Sequence, residues 1–151
     1  MEKLEVLRRS DIFHYLDENG LKAVAKMCKE QVFEPGTIIF RQDKEADKIY
    51  VVEEGLVSVL LELGPTDRRQ LQAASNFEAF GWTATIPPFR HLATVKALER
   101  TKVLVFDGKE LRNLIDTNPK LCCEVAGGVA YVISQRLRTA YAQLMGCTYQ
   151  D

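Results

Sequence analysis

Short runs of β-branched and aromatic residues, separated by glycines, dominate the middle of the chain. Residues of these types are enriched in strands, and a glycine tolerates the positive φ that a tight chain reversal requires. Gly36 precedes the first run, and Gly55 separates the second from the third. The pattern predicts antiparallel strands at residues 38–40, 49–52, 57–61, 71–74, 92–97 and 103–106. We therefore predict a roll of strands over about residues 32–107.

Helical periodicity flanks this β-rich region on both sides. Apolar residues recur at helical spacing over residues 9–31, where Ser10 or Asp11 supplies an N-cap. A short helix is predicted at 109–116 and a long one at 119–145, which begins at Pro119. Proline suits the first turn of a helix because the N–H that it lacks has no partner there.

The long C-terminal helix carries two apolar faces. Val125, Val129 and Val132 form one face, which we expect to dock on the roll. The other is a stripe with steps of three and four residues: Cys123, Ala126, Ala130, Ile133, Leu137, Ala140 and Leu144. Three such heptads are typical of a helix–helix interface, so we predict a homodimer through this helix, with Gly127 and Gly128 permitting close approach. Packing of the stripe inside the monomer is the alternative.

Charge and motif content argue against several functions. The chain has 20 Lys+Arg and 21 Asp+Glu, so we expect no nucleic-acid partner. No apolar run approaches the ~20 residues of a membrane span, and the N-terminus lacks a signal-peptide pattern, so we predict a cytoplasmic protein without a membrane partner. Phosphate-loop, nucleophile-elbow and metalloprotease motifs are missing, and we therefore expect no enzyme and no metal site.

The cysteines show no metal-binding or redox spacing. They are Cys28, Cys122, Cys123 and Cys147, and no two of them are separated by two residues. We interpret them as reduced thiols, with the vicinal pair buried on the apolar helix. A role of that pair in sensing oxidants or soft metals is the alternative reading.

The ordered set of segments resembles the cyclic-nucleotide-binding domain of the catabolite-activator type. Residues 34–63, EPGTIIFRQDKEADKIYVVEEGLVSVLLEL, resemble the first half of that domain. Residues 80–98, FGWTATIPPFRHLATVKAL, resemble its phosphate-binding cassette, and the helix after Pro119 resembles its dimerising C-helix.

This resemblance implies a mainly β fold with flanking α-helices. We expect one domain over 1–151, a double-stranded β-roll (jelly roll) followed by C-terminal helices at about 109–145 that end in a long dimerisation helix. A helix-turn-helix, which follows the C-helix in the transcription factors of the family, is not found after this one. We therefore expect a stand-alone sensory domain.

The resemblance also implies a ligand site in the cassette. Gly81 lets the backbone approach the ligand, and the amides of Thr83 and Ala84 face a phosphate at the start of a short helix. The site residues implied are Gly81, Trp82, Thr83, Ala84, Arg90, His91 and Thr94.

Two cassette positions depart from the family pattern. The glutamate that binds the ribose 2′-hydroxyl is replaced by Trp82, and the arginine that pairs with the cyclic phosphate falls on His91. Arg90 stands one residue out of register, where it either points to the opposite face of a strand or swings in from a loop. Two lost charge-assisted contacts cost about 3–6 kcal/mol, or about 10²–10⁴ in affinity.

These observations lead to two hypotheses. In the first, the chain is a regulatory domain whose ligand is a cyclic nucleotide or another small phosphate-containing or anionic molecule, and it signals through its dimer helix to an unidentified effector. His91 either pairs with the anion when protonated, below about pH 6.5, or is a neutral wall residue. In the second, the chain is a ligand-free protein-interaction module in which Trp82 plugs the pocket instead of stacking on a ligand.

Overall fold

The computed structural model describes residues 1–146, and two four-stranded antiparallel sheets form its centre. The strands are β1 Lys29–Phe33, β2 Ile38–Phe40, β3 Lys48–Glu54, β4 Val57–Glu62, β5 Arg68–Ala74, β6 Ala79–Phe80, β7 Thr94–Ala97 and β8 Thr101–Asp107. They pair in the orders β1-β8-β3-β6 and β2-β7-β4-β5. The helices are α1 Lys3–Arg9, α2 Glu18–Met27, a 3₁₀ helix Trp82–Thr85, α3 Gly108–Asp116 and α4 Pro119–Leu144. The predicted β-roll with a long C-terminal helix is confirmed.

The first sheet is buried on both faces because the middle of each central strand, residues 49–52 of β3 and 103–106 of β8, is a continuous run of buried apolar and aromatic residues. In β3, Ile49 and Val51 face the helices, whereas Tyr50 and Val52 face the second sheet. Strand β8 repeats the alternation, and this is the period of two that a strand imposes on its side chains. The two buried clusters that result hold the helices on one side of the roll and the second sheet on the other.

The single helix predicted over residues 9–31 is wrong. Helix α1 ends at Arg9, and α2 begins only after Asp17, whose carboxylate accepts a hydrogen bond from the Gly20 amide at 2.8 Å. Residues 29–33 form strand β1, which pairs with β8 at the edge of the first sheet. The segment KEQVF is mostly exposed and lacks an alternating apolar face, so its pairing with β8, and not its local pattern, determines its structure.

Helix α4 begins at Pro119 as predicted, and the Asn118 side chain caps it by accepting from the Leu121 amide. The three valines of its inner face are buried in the cluster that contains Ile12. Gly128 is part of this contact and not of a dimer seam, because a Cβ at this position would lie 1.7 Å from the Ile12 carbonyl oxygen. The glycine allows α4 to pack directly on the backbone between α1 and α2.

The vicinal cysteines do not occupy the predicted buried position. Cys122 and Cys123 are both exposed on α4, whereas Cys28 is buried. Burial raises the pKa of the Cys28 thiol, which keeps this thiol protonated and unreactive at neutral pH. Cys147 lies outside the described residues. Within residues 1–146, the structure contains no helix with the length and apolar character that a membrane crossing requires.

Candidate functional site

A cavity of about 270 Å³ lies between the β-roll and the C-terminal half of α4. Four of the predicted site residues in the cassette line the walls of the cavity: Gly81, Trp82, Thr83 and His91. Aromatic and aliphatic side chains from the roll complete most of the remaining lining: Phe40, Val59, Leu71, Phe80, Leu92, Ala93 and Val95. Helix α4 closes one side with Ile133, Arg136, Leu137 and Ala140. The cavity therefore touches both the cassette and the long helix.

Gly81 shapes the cassette end of this cavity. Its φ of 78° lies in the left-handed region, and the 3₁₀ helix begins at the next residue. A Cβ at this position would lie 2.8 Å from the Lys48 carbonyl oxygen and 3.1 Å from the Tyr50 ring. The Ala84 amide donates to the Gly81 carbonyl at 3.1 Å, so the turn itself uses that amide. Glycine is therefore required here both by conformation and by space.

His91 is a buried wall of the cavity with an exposed fraction of only 4%. Its ring stacks on Phe40 with centroids 3.5 Å apart, and its Nδ1 lies 3.4 Å from the Thr83 hydroxyl. Burial lowers the pKa of His91 to about 4, although the charge of Asp47 opposes the shift. The imidazole is therefore neutral at physiological pH, and an anion that paired with charged His91 would have to offset this burial effect.

Arg90 and Thr94 lie outside the cavity lining. The exposed Arg90 guanidinium donates to the Asp43 carbonyl at 2.8 Å. The fully buried Thr94 hydroxyl donates to Glu62 at 2.8 Å and accepts from the Gln42 amide at 3.0 Å. The structure thus brings Gly81, Trp82, Thr83 and His91 together, while Ala84 is buried behind the turn.

Sequence reasoning missed two polar lining residues, Gln72 and Arg136. Arg136 donates to the Ala79 carbonyl at 3.1 Å, and its own carbonyl accepts from the Gln72 side chain at 2.9 Å. The spacing of Ile133, Arg136, Leu137 and Ala140 is i, i+3, i+4 and i+7, which places them on one helical face. This spacing was visible in the sequence, but nothing local indicated that the face meets strand β5.

The predicted dimer stripe divides between two environments. Cys123, Ala126, Ala130 and Leu144 are exposed, whereas Ile133, Leu137 and Ala140 line the cavity. Leu137 and Ala140 are exposed as well, so they stand at the border of the two surfaces. The part of the stripe from Ile133 to Ala140 thus faces the roll of its own chain.

Asp11 connects the α1–α2 turn to the strand beside the cavity. Its carboxylate accepts from the Ala79 amide at 3.0 Å, and the Ala79 carbonyl accepts from Arg136. Burial raises the pKa of Asp11 to about 6, although the hydrogen bond from Ala79 and the positive charge of Arg136 both oppose that shift. The folded protein therefore holds a proton on Asp11 more tightly than the unfolded chain does.

Substitution of Asp11 by asparagine is expected to stabilise the protein at neutral pH. The stability that protonated Asp11 contributes is present below its ordinary pKa of 3.8 and is lost as the pH rises through about 6. Asparagine keeps the acceptor for Ala79 without the charge, so we expect the free energy of unfolding at pH 7.5 to rise by about 1–3 kcal/mol. Urea unfolding of both proteins between pH 4 and 8 measures this.

The difference in the free energy of unfolding between the parent protein and Asp11→Asn should narrow toward pH 4. At that pH Asp11 becomes protonated in the unfolded chain as well as in the folded protein. His91 acts in the opposite direction, because its lowered pKa means that stability is lost as the pH falls from 6.5 toward 4. That contribution is common to both proteins and cancels in the comparison. A difference that stays constant with pH would contradict the assignment of the raised pKa to Asp11.

Comparison with known proteins shows which family the central part of the chain resembles. The model of the family described as cyclic nucleotide-binding domain matches residues 30–118, which is more than half of the chain. A crystal structure of a candidate cyclic nucleotide-binding protein from Geobacter metallireducens GS-15 has 25% identity and a TM-score of 0.79, and the match covers 91% of this chain and 99% of that one.

Curated relatives contain a region similar to this chain within longer proteins. A candidate potassium channel protein of Rhodopseudomonas palustris is 29% identical over 141 residues, which are 93% of this chain and 34% of that protein. The HTH-type transcriptional regulator Cmr of Mycobacterium tuberculosis is 27% identical over 134 residues, 87% of this chain and 52% of the regulator. The chain thus spans between about a third and a half of these two relatives.

Proposed function

The chain belongs to the cyclic nucleotide-binding domain family, and from that premise we propose that it is a regulatory domain that binds a small anionic, nucleotide-like ligand. The observation that carries this proposal is the cavity shared by the cassette and helix α4. Its aromatic walls suit a flat ring system, and Trp82 offers an indole face for stacking. The neutral His91 and the exposed Arg90 make the cassette a poor phosphate site, so the ligand is bound mainly through its apolar body.

Ligand binding changes the position of the helices in this proposal. Residues of α4 form one wall of the cavity, and Arg112 of α3 donates to the Ala84 carbonyl behind the cassette turn. A ligand that fills the cavity therefore acts on both C-terminal helices. It shifts their position only if it binds one arrangement more tightly than the other, since equal affinity moves no equilibrium.

Helix α4 is also the proposed dimer contact. The exposed residues Cys123, Ala126 and Ala130 form a small-residue surface that a second copy of the helix can approach. Leu137 and Ala140 lie between this surface and the cavity. The helix position that a ligand favours is thereby communicated to the partner chain and then to an effector.

Fluorescence of Trp82, the single tryptophan of the chain, tests the proposal directly. Cyclic AMP, cyclic GMP, the corresponding 5′-monophosphates and inorganic phosphate are titrated at pH 7.5 and pH 5.5, with correction for absorbance by the bases. We expect a saturable change with a nucleotide and no response to phosphate alone. His91 should cause no difference in the affinity for cyclic AMP or cyclic GMP between the two pH values, because its pKa, about 4, lies below both.

Arg90→Ala is the matched control because this side chain lies outside the cavity, and its titration curve should coincide with that of the parent protein. If no nucleotide changes the fluorescence of Trp82, the proposal is contradicted. Such a result would favour the second function, a protein-interaction module in which Trp82 plugs the pocket. The packing of the partly buried Trp82 against the helical core supports that alternative.

A further inference from the structure

One lining residue of the cavity is charged. Among the residues that the structure places around the cavity, the other side chains with polar groups are Gln72, Thr83, the neutral His91 and Trp82 with its indole N–H. Arg136 alone carries a formal charge there at neutral pH. An anion that leaves water for an apolar cavity needs a compensating charge or hydrogen bonds, and a guanidinium supplies both.

The Arg136 head is held in place by the protein and still has donors to offer. Nη2 donates to the Ala79 carbonyl at 3.1 Å and Nη1 to the Ala73 carbonyl at 3.4 Å. A guanidinium has five N–H donors, so within residues 1–146 two of them are engaged in this way. The two strand carbonyls fix the direction of the side chain, which leaves a positioned group at the wall of the cavity.

The rest of the lining defines the body of the ligand. Phe40, Phe80 and Trp82 contribute aromatic walls, and aliphatic residues of β4, β5 and β7 fill the space between them. The rings of Phe40 and His91 stack on each other with their centroids 3.5 Å apart, so the pair forms one aromatic part of the wall. A flat apolar molecule matches these walls better than a strongly polar one does, because its burial leaves no polar group without a partner.

We propose that Arg136 of helix α4 recognises the anionic group of the ligand, and that the ligand is a flat aromatic molecule with one such group. This rests on the proposed function of the cavity and moves the charge recognition from the cassette to the helix. This assignment connects ligand binding directly to helix α4. An anion that accepts from the remaining donors of Arg136 contacts the proposed signalling helix directly, while the two strand carbonyls keep the guanidinium in place.

Two dyes that differ in charge test this assignment. The dye 8-anilinonaphthalene-1-sulfonate has a flat aromatic body and one sulfonate, and N-phenyl-1-naphthylamine has a closely similar body without the charge. Energy transfer from Trp82 reports binding of each dye to the protein, and Ala140→Phe, which fills space in the lining, should weaken the binding of both dyes if they occupy this cavity. We expect Arg136→Gln to weaken binding of the sulfonate dye about 10- to 100-fold and to change the affinity of the neutral dye by less than about twofold.

Arg138→Gln is the matched control, since Arg138 is exposed on the same helix and does not line the cavity. It should leave both affinities unchanged, and Arg136→Lys should retain much of the preference for the sulfonate. If Arg136→Gln fails to fold, as judged by circular dichroism, Arg136→Met replaces it with the same expected result. Equal losses for both dyes, an unchanged sulfonate affinity, or no energy transfer in the parent protein would each overturn the assignment.

These results are distinguishable from failure of the proposed function. Because the dyes are not nucleotides, a flat nucleotide titration together with Arg136-dependent binding of the sulfonate dye would remove the nucleotide proposal and leave the Arg136 assignment intact. If instead nucleotides bind, and Arg136→Gln changes neither their affinity nor that of the sulfonate dye, the nucleotide proposal stands and the Arg136 assignment is overturned.

Discussion

Alanine at position 128 is expected to lower the free energy of unfolding by about 3 kcal/mol. The added Cβ would lie 1.7 Å from the carbonyl oxygen of Ile12 and 2.7 Å from its carbonyl carbon. Both are backbone atoms, so no side-chain rotation relieves the overlap and helix α4 must move away from the α1–α2 turn. The better helix propensity of alanine, about 1 kcal/mol, offsets only part of this cost. Urea unfolding at pH 7.5 measures the difference.

The neighbouring glycine provides the control for this substitution. A Cβ at Gly127 meets only Tyr15, at the ordinary contact distance of 3.7 Å. Gly127→Ala should therefore keep the propensity gain and stabilise the protein by up to about 1 kcal/mol. Similar effects of the two substitutions would show that α4 does not pack on Ile12 as described. The outcome matters for the proposed signalling, because this contact anchors the half of α4 that precedes the cavity.

The roll was predictable from the sequence because its strands carry their own pattern. The apolar runs at residues 49–52 and 103–106 have the composition of strands that are buried on both faces, and Gly55 stands where the chain reverses between β3 and β4. Strand β1 has no such pattern, since four of its five residues are exposed and its structure comes from pairing with β8. A non-local partner leaves no signal in the residues of the strand itself.

The candidate site was predictable only in part, for a related reason. Counting back from Thr94 assigns His91 to the family's arginine position, which stays a prediction, and the structure places His91 in the wall of the cavity. The direction of Arg90, the internal bonds of Thr94 and the participation of Arg136 all depend on segments distant in sequence. Arg136 in particular contacts Ala73 and Ala79 across more than 50 residues of chain. Such placement follows from the packed fold and not from a motif.

Restoration of the two missing family residues is expected to create strong cyclic AMP binding. The resemblance assigns a glutamate to position 82 and an arginine to position 91, and both present side chains line the cavity. Trp82→Glu with His91→Arg supplies two charge-assisted contacts, together about 3–6 kcal/mol, so we expect an affinity gain of about 10²–10⁴. Isothermal titration calorimetry measures the gain, because the double variant lacks the tryptophan that reports in the parent protein.

The thermal stability (Tm) of the same double variant is an independent test of whether positions 82 and 91 face the ligand. The two substitutions place two charged groups in the lining of a mainly apolar cavity, one of them at the buried position 91, so Tm without ligand should fall. Cyclic AMP should restore it, since a ligand that binds only the folded state stabilises that state by mass action. Arg90→Ala in this background should change neither affinity nor Tm, because Arg90 contacts the Asp43 carbonyl outside the cavity. If cyclic AMP neither binds nor raises Tm, positions 82 and 91 do not face the ligand, and the cavity beside α4 is not the site that the cassette serves.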